Sequence, residues 1–223
     1  AVTADLDGLD ILPGGEVIAC AKDNIITPRE RDGECDSLLL PKDRFLPHTI
    51  INEYIKLKTS VKSILDEYRS KLQGGVTIGL HIRGAGRTDG GVPTLRAHLP
   101  RERGVPISTY FYHVDKVLGE LPEARIFVAS DSEFVIRKCE NRYGNRVLTV
   151  PSQRSEFGEM HVSNHPKNCG LTFDRPRLGL EVLVEAFLLA SADVFVHGNS
   201  NLVNFVLCLN PYLQNHYVYS QAE

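Results

Sequence analysis

Residues 76–91 read VTIGLHIRGAGRTDGG, an apolar run that ends in a His-x-Arg pair and then opens into a glycine-rich loop. The run is rich in β-branched residues and has no helical spacing, which predicts a strand buried on both faces, as in a parallel sheet. His81 and Arg83 then lie on the same side of this strand at its carboxyl end. Ligands of open α/β sheets bind at that end, so we expect the cation to meet an anion there.

The chain around this strand alternates between helix and strand patterns. Residues 47–72 carry apolar side chains at three- and four-residue steps, which predicts one long amphipathic helix before the strand. The later patterns predict, in order, a helix over 107–121, a strand over 124–130, a helix ending near 143, a strand over 146–152, a helix over 178–192, a strand over 193–198, a helix over 199–211 and a strand over 215–220. This succession is typical of a Rossmann-like α/β domain, in which crossover helices join parallel strands.

Residues 1–47 are the least regular part of the chain. Pro13-Gly14-Gly15 has turn chemistry, residues 26–36 are highly charged, and only Val17 to Ala21 resembles a short strand. This stretch fits an irregular arm packed on the main body, a linker, or the remnant of a preceding domain, and the sequence does not choose among them. We therefore expect the α/β domain to cover residues 48–223.

Composition excludes several classes of function. The net charge of −3 disfavours a nucleic-acid partner, which would favour a basic surface, and no apolar run is long enough for a membrane span. The five cysteines are scattered and lack C-x-x-C spacing, which disfavours both a zinc site and a disulfide framework. No signal peptide and no N-x-S/T sequon are recognisable, so we expect a reducing, cytoplasmic compartment.

Three predicted strand ends carry polar groups: His81 with Arg83, Asp131 with Ser132, and the turn 197–201. Each has an ordinary explanation by itself, because serine, aspartate and asparagine before a helix are common N-caps. Neighbouring parallel strands, however, bring their carboxyl ends together. An arginine and helix amides gathered there can hold phosphate, while a carboxylate binds ribose hydroxyls or base N–H groups. The sequence therefore predicts a nucleotide site.

Other phosphate-binding and catalytic classes fit less well. The P-loop motif and the G-x-S-x-G elbow are absent, and Gly84-Ala85-Gly86 lacks the third glycine of a dinucleotide turn. His161 and His165 have the spacing of a metal-binding pair, but the adjoining Pro166 favours a loop over a helix. No Asp-x-Asp pair is positioned for a divalent cation, so we expect neither a metal nor another cofactor.

Three motifs together resemble the GDP-fucose-dependent fucosyltransferases, the family of the α1,6-fucosyltransferases, including the nodulation-type enzyme, and the protein O-fucosyltransferases. The motifs are IGLHIRG at 78–84, ARIFVASDSEF at 124–134 and the helix–strand–turn segment 179–211, so the resemblance covers roughly residues 76–211. It implies a GT-B glycosyltransferase of which this chain is the donor-binding C-terminal half. Its partners would be GDP-fucose, a glycan acceptor and further domains of a larger polypeptide.

The resemblance also implies roles for individual residues. Arg83 would hold the β-phosphate and stabilise the leaving GDP, and His81 would line the same pocket. Asp131 matches the aspartate of the second motif, Glu185 falls where an aspartate reads guanine or organises its pocket, and Ser200 matches the serine of the last turn. The remaining expected donor-binding residues are Gly84, Ser132, Asn199 and Asn201. Asp89 is the candidate general base for the acceptor hydroxyl.

The sequence departs from the family pattern at two of these positions. Gly84 stands where the α1,6 enzymes have a second arginine, so we expect phosphate binding either to be weaker or to be completed by Arg87, Arg175 or Arg177. Glu185 is one methylene longer than the family aspartate, which leaves the base preference open. The implied activity is an inverting, metal-independent fucosyl transfer to a glycan hydroxyl. The alternatives are a transferase with another nucleotide sugar and a non-catalytic nucleotide-sugar-binding module.

Overall fold

The protein is described here from a computed structural model that covers residues 9–11, 41–83, 105–154, 174–198 and 200–218. Its helices are α1 (Phe45–Tyr54), α2 (Thr59–Leu72), α3 (Ile107–Glu120), α4 (Glu133–Tyr143), α5 (Arg175–Ala190) and α6 (Asn201–Leu209). Its strands are β1 (Leu9–Ile11), β2 (Ile55–Leu57), β3 (Thr77–His81), β4 (Arg125–Ala129), β5 (Val147–Leu148), β6 (Val194–His197) and β7 (Gln214–Tyr217). None of the helices in these ranges is long and apolar enough to cross a membrane.

Five strands form one sheet in the order β5-β4-β3-β6-β7, and every neighbouring pair is parallel. This confirms the predicted Rossmann-like α/β class. The strand of the opening motif, β3, lies at the centre, with β4 on one side and β6 on the other. The chain therefore reverses its direction of winding at β3, and the crevice beside such a strand is where doubly wound sheets bind ligands.

The two faces of the sheet are covered by different helices. Ile78 and Leu80 of β3 point towards the core beneath α3 and α4, whereas the intervening Gly79 faces α5. A Cβ atom at residue 79 would lie 3.1 Å from the Cβ of Ala192 and 3.2 Å from Cδ2 of Leu189. Glycine is therefore the residue that lets the end of α5 and the turn after it pack closely on the central strand.

The single helix expected over 47–72 is wrong. Helix α1 ends at Tyr54, the extended strand β2 follows, and α2 begins at Thr59. Strand β2 pairs antiparallel with β1, so that Ile55 lies opposite Ile11. The helical spacing of apolar residues runs across this break, and it is pairing with a distant segment that makes residues 55–57 extended. The possible strand at Val17 to Ala21 lies outside the described residues.

Strand β5 is shorter than the predicted 146–152. It pairs only with Ile126 and Phe127 of β4, and Pro151 lacks the N–H that would extend the ladder. Residues 151–154 leave the sheet and run along α5 instead, held by hydrogen bonds to that helix. Segment 151–154 thereby lies against two glutamates of α5, Glu181 and Glu185.

Candidate functional site

The predicted site lies at the carboxyl edge of the three central strands. Arg83 follows β3 and is exposed, Asp131 follows β4 and is half-buried, and Ser200 is buried at the start of α6 after β6. In register, His81 lies opposite Ala129 on one side and His197 on the other. The three strand ends that the sequence singled out are therefore direct neighbours.

His81 joins these three elements through both of its ring nitrogens. Its Nδ1 lies 3.2 Å from the carbonyl oxygen of Ala129, and its Nε2 lies 3.1 Å from Oγ of Ser200. A carbonyl can only accept, so Nδ1 carries the proton and Nε2 accepts from the hydroxyl of Ser200. The ring thereby connects the end of β4 to the start of α6.

Electrostatics keep this ring neutral. The pKa of His81 is lowered to about 3, mainly by burial and in addition by the nearby positive charge of Arg83. A neutral ring fits its surroundings, because a second proton on Nε2 would remove the acceptor for the Ser200 hydroxyl. His81 is therefore a fixed link in the wall of the site at neutral pH, and its low pKa makes it a poor general base.

Serines 132 and 200 both begin helices. Oγ of Ser200 accepts from the backbone N–H of Val203 at 3.2 Å, while Oγ of Ser132 accepts from Val135 at 3.5 Å. Ser200, rather than Asn199, is the N-cap of α6, and the ordinary capping explanation accounts for Ser132 as well. The α6 N-terminus opens at the site edge with amides that suit an anion.

Glu185 projects from α5 into the buried region behind Asp131. Its Oε1 accepts from the hydroxyl of Ser152 at 2.7 Å. The pKa of Glu185 is raised to about 7, mainly by burial, and the hydrogen bond from Ser152 and the charge of Arg154 only partly oppose this. Nearby negative charge on Glu181 and Asp131 adds to the increase. The site thus contains a carboxyl group that titrates near neutrality, as groups at functional sites often do.

Sequence reasoning missed the network that surrounds Glu185. Glu181 lies one helical turn earlier and is also buried; its Oε2 accepts from the backbone N–H of Gln153 at 2.7 Å. Arg154 reaches back to the carbonyl of Val150 at 2.5 Å, and its buried Nε has no hydrogen-bond partner among the described residues. After its first turn, α5 has no charged residues except these two glutamates, which are four residues apart, and this is a signal that could have indicated the network.

Arg177 is engaged by the same network. Its Nε donates to Oε1 of Glu181 at 2.7 Å, while more than half of its side chain remains exposed. The expected role of Arg177 in phosphate binding must therefore compete with an existing ion pair. The Arg175 side chain lies outside the described residues, as do Gly84, Arg87, Asp89 and Asn199. Asn201 is the exposed first residue of α6.

The turn between β6 and α6 requires glycine at position 198. A Cβ atom there would lie 2.2 Å from the hydroxyl oxygen of Tyr110, a buried residue of α3. Without a side chain at residue 198, the backbone of the turn can pack directly against Tyr110 of α3. Gly198 thus helps to position Ser200 at the edge of the site.

No family model matches the chain, and no curated protein is similar to it at a significant level. Among solved structures, the chain is similar to NodZ α-1,6-fucosyltransferase co-crystallised with GDP, at 17% identity over 73% of this chain and 46% of that one, with a TM-score of 0.46. The fucosyltransferase NodZ from Bradyrhizobium gives 16% identity, the same coverages and the same TM-score. POFUT1 in complex with GDP-fucose gives 11% identity over 79% and 49% of the two chains, with a TM-score of 0.47. The chain spans about half the length of these structures.

Proposed function

We propose that residues 48–223 form the donor-binding domain of a glycosyltransferase that transfers fucose from GDP-fucose to a glycan hydroxyl with inversion. The proposal rests on one observation: the residues that follow three neighbouring strands lie together at one edge of the sheet. Arg83, Asp131 and the N-terminus of α6 follow β3, β4 and β6, which are neighbours. A cation, a carboxylate and helix amides are the groups that a nucleoside diphosphate requires.

In this proposal each group has a distinct task. Arg83 and the α6 amides bind the diphosphate, and Arg83 stabilises the negative charge that accumulates on the departing GDP. Loss of such a donor typically costs roughly 10²–10³ in rate. His81 holds Ser200 in place through Nε2, while Glu185, backed by Ser152, faces the base. Asp89 activates the acceptor hydroxyl, and no metal takes part.

The test begins with Arg83→Ala. Titration calorimetry with GDP, UDP and GDP-fucose is expected to give binding of the guanine nucleotides by the wild type and much weaker binding by the variant. Transfer to an acceptor is expected to fall to background. Arg69→Ala is the matched control, because it removes an arginine on α2 whose pairing with Asp66 lies at 3.7 Å on the exposed surface. Unimpaired transfer by Arg83→Ala would rule the proposal out.

A second candidate is a non-catalytic module that binds a nucleotide sugar for a partner domain. It agrees with the described edge of the sheet, which gathers groups suited to a diphosphate, while the histidine there, His81, is a poor base because its pKa is lowered to about 3. The two candidates differ in turnover: binding of GDP-fucose without hydrolysis or transfer, even with acceptors supplied, supports the module. Tighter binding of UDP than of GDP would instead indicate another nucleotide sugar.

A further inference from the structure

The hydroxyl of Ser130 ties the ends of β3 and β4 together where their ladder stops. In register, the ladder runs to His81 opposite Ala129, and the backbone N–H of Ile82 then donates to the carbonyl of Ala129 at 3.3 Å. One residue further, Oγ of Ser130 donates to the carbonyl of Ile82 at 2.7 Å. A side chain therefore continues the connection between the two strands beyond their paired residues.

The same hydroxyl also holds the start of α4. Its oxygen accepts from the backbone N–H of Ser132 at 3.2 Å. Ser130, Ile82 and Ser132 are 3%, 0% and 1% exposed, so water has little access to either partner if the hydroxyl is removed. A buried hydroxyl costs stability unless it is hydrogen-bonded, and this one is satisfied both as a donor and as an acceptor.

These two hydrogen bonds bracket the residues of the nucleotide site. Arg83 directly follows Ile82, and Asp131 lies between Ser130 and Ser132. Ser130 is therefore connected to the neighbours of both the cation and the carboxylate. A ligand that contacts both groups binds more tightly when their spacing is fixed before it arrives, because binding then does not have to order them.

We propose that Ser130 is a positioning residue that fixes Arg83 and Asp131 relative to each other, so that one nucleoside diphosphate can contact both. The inference rests on the proposed function, in which Arg83 faces the diphosphate and the carboxylate of Asp131 faces the nucleoside. Ser130 itself is buried and acts only through the backbone of its neighbours. A serine with a merely structural role would stabilise the edge of the sheet without changing how tightly the ligand binds.

Titration calorimetry of the full chain with GDP and with guanosine tests this role. Ser130→Ala is expected to weaken the binding of GDP about five- to thirtyfold, the effect of losing one or two buried hydrogen bonds. Guanosine carries no phosphate for Arg83, so its affinity should be similar in the variant and the wild type. Ser191→Ala is the matched control, because its hydroxyl donates to the carbonyl of Leu188 at 2.8 Å just before β6, at the opposite edge of the sheet. It should leave the affinity for GDP unchanged.

A double-mutant cycle with Arg83→Ala separates positioning from stability. If Ser130 acts through Arg83, adding Ser130→Ala to Arg83→Ala should cause little further loss of GDP affinity. Ser130→Cys keeps a side chain of similar shape but offers a weaker donor. It should give an intermediate loss, and it keeps the test decisive if the alanine variant does not fold.

The outcomes also separate this inference from the proposed function. Failure of the wild type to bind GDP would overturn both. Binding that Arg83→Ala weakens, but that Ser130→Ala and Ser130→Cys leave at the wild-type level, would overturn the positioning role alone. So would an equal loss of GDP affinity from Ser130→Ala with and without Arg83, or a loss of guanosine affinity as large as that of GDP.

Discussion

At the scale of single residues, Glu185 makes stability depend on pH in an unusual direction. Burial raises its pKa from 4.5 to about 7. Between these two values the folded state binds more protons than the unfolded state, so the contribution of Glu185 to stability falls as pH rises. Below this window the group is protonated in both states. Above it the folded protein carries the full cost of a buried carboxylate.

Glu185→Gln is therefore expected to stabilise the protein at neutral and alkaline pH. The amide oxygen can still accept from Ser152, and the gain should grow from pH 4.5 to about 7 and reach roughly 2–3 kcal/mol. Denaturant unfolding of variant and wild type across this range measures the difference. Glu120→Gln, which removes an exposed carboxylate of α3, is the control. If the difference in unfolding free energy between Glu185→Gln and the wild type stayed constant across this pH range, the raised pKa of Glu185 would be contradicted.

Gly198 permits a second residue-scale prediction. In Gly198→Ala the new methyl would lie 2.2 Å from the Tyr110 hydroxyl, so one of the two must move. We expect a loss of about 1–3 kcal/mol, the usual cost of overpacking. Tyr110→Phe removes the nearest atom and leaves the ring carbon Cζ at 3.3 Å. The double variant should recover part of the loss in a thermal unfolding cycle, and strict additivity would show that the contact is not the cause.

At the scale of elements, the two serine caps should differ in importance. Ser200 caps α6 at 3.2 Å and also donates to buried His81, whereas Ser132 caps α4 at 3.5 Å. Removing Ser200 leaves Nε2 of His81 without its donor in addition to the lost cap. We expect Ser200→Ala to cost about 1–3 kcal/mol, and Ser132→Ala less. Chemical denaturation measures the loss of stability in each variant. Equal losses in Ser200→Ala and Ser132→Ala would refute the prediction.

The elements also show which features sequence patterns can predict. Residues 76–82 and 193–198 are mostly apolar without helical spacing, and each contains a buried strand of the parallel sheet, β3 and β6. The alternation of helices and strands predicts that the strands are parallel, which puts their carboxyl ends at one edge. It does not predict that β6 pairs with β3, and that pairing is what brings Ser200 beside His81.

The features that the sequence did not predict, strand β2 and the hydrogen bonds of Glu181 and Glu185, depend on contacts between distant parts of the chain. Residues 55–57 became a strand only through pairing with 9–11, and no local pattern encodes that partner. Glu181 and Glu185 are buried because segment 151–154 leaves the sheet and supplies them with donors. The acidic pair was visible in the sequence of α5, but its partners Ser152 and Gln153 became recognisable only in three dimensions.

At the scale of the whole molecule, the site edge is built largely by one sheet and the helices that follow its strands. His81, Ser200, Glu185 and Ser152 are fixed by contacts within residues 48–223. If the proposed function is correct, nucleotide binding should therefore be a property of this chain alone, even where transfer needs further domains. A ligand that binds only the folded state stabilises it by an amount set by its concentration.

Thermal unfolding with added nucleotide tests this property of the whole chain. GDP at a hundredfold excess over its dissociation constant should stabilise the wild type by about 2.7 kcal/mol and raise its melting temperature. Arg83→Ala, at the same GDP concentration, should gain far less, because the charge facing the diphosphate is gone. Guanosine, which lacks phosphate, should give the two proteins similar small shifts. Equal shifts of wild type and Arg83→Ala with GDP would mean that the diphosphate does not bind beside β3, whatever the chain's activity.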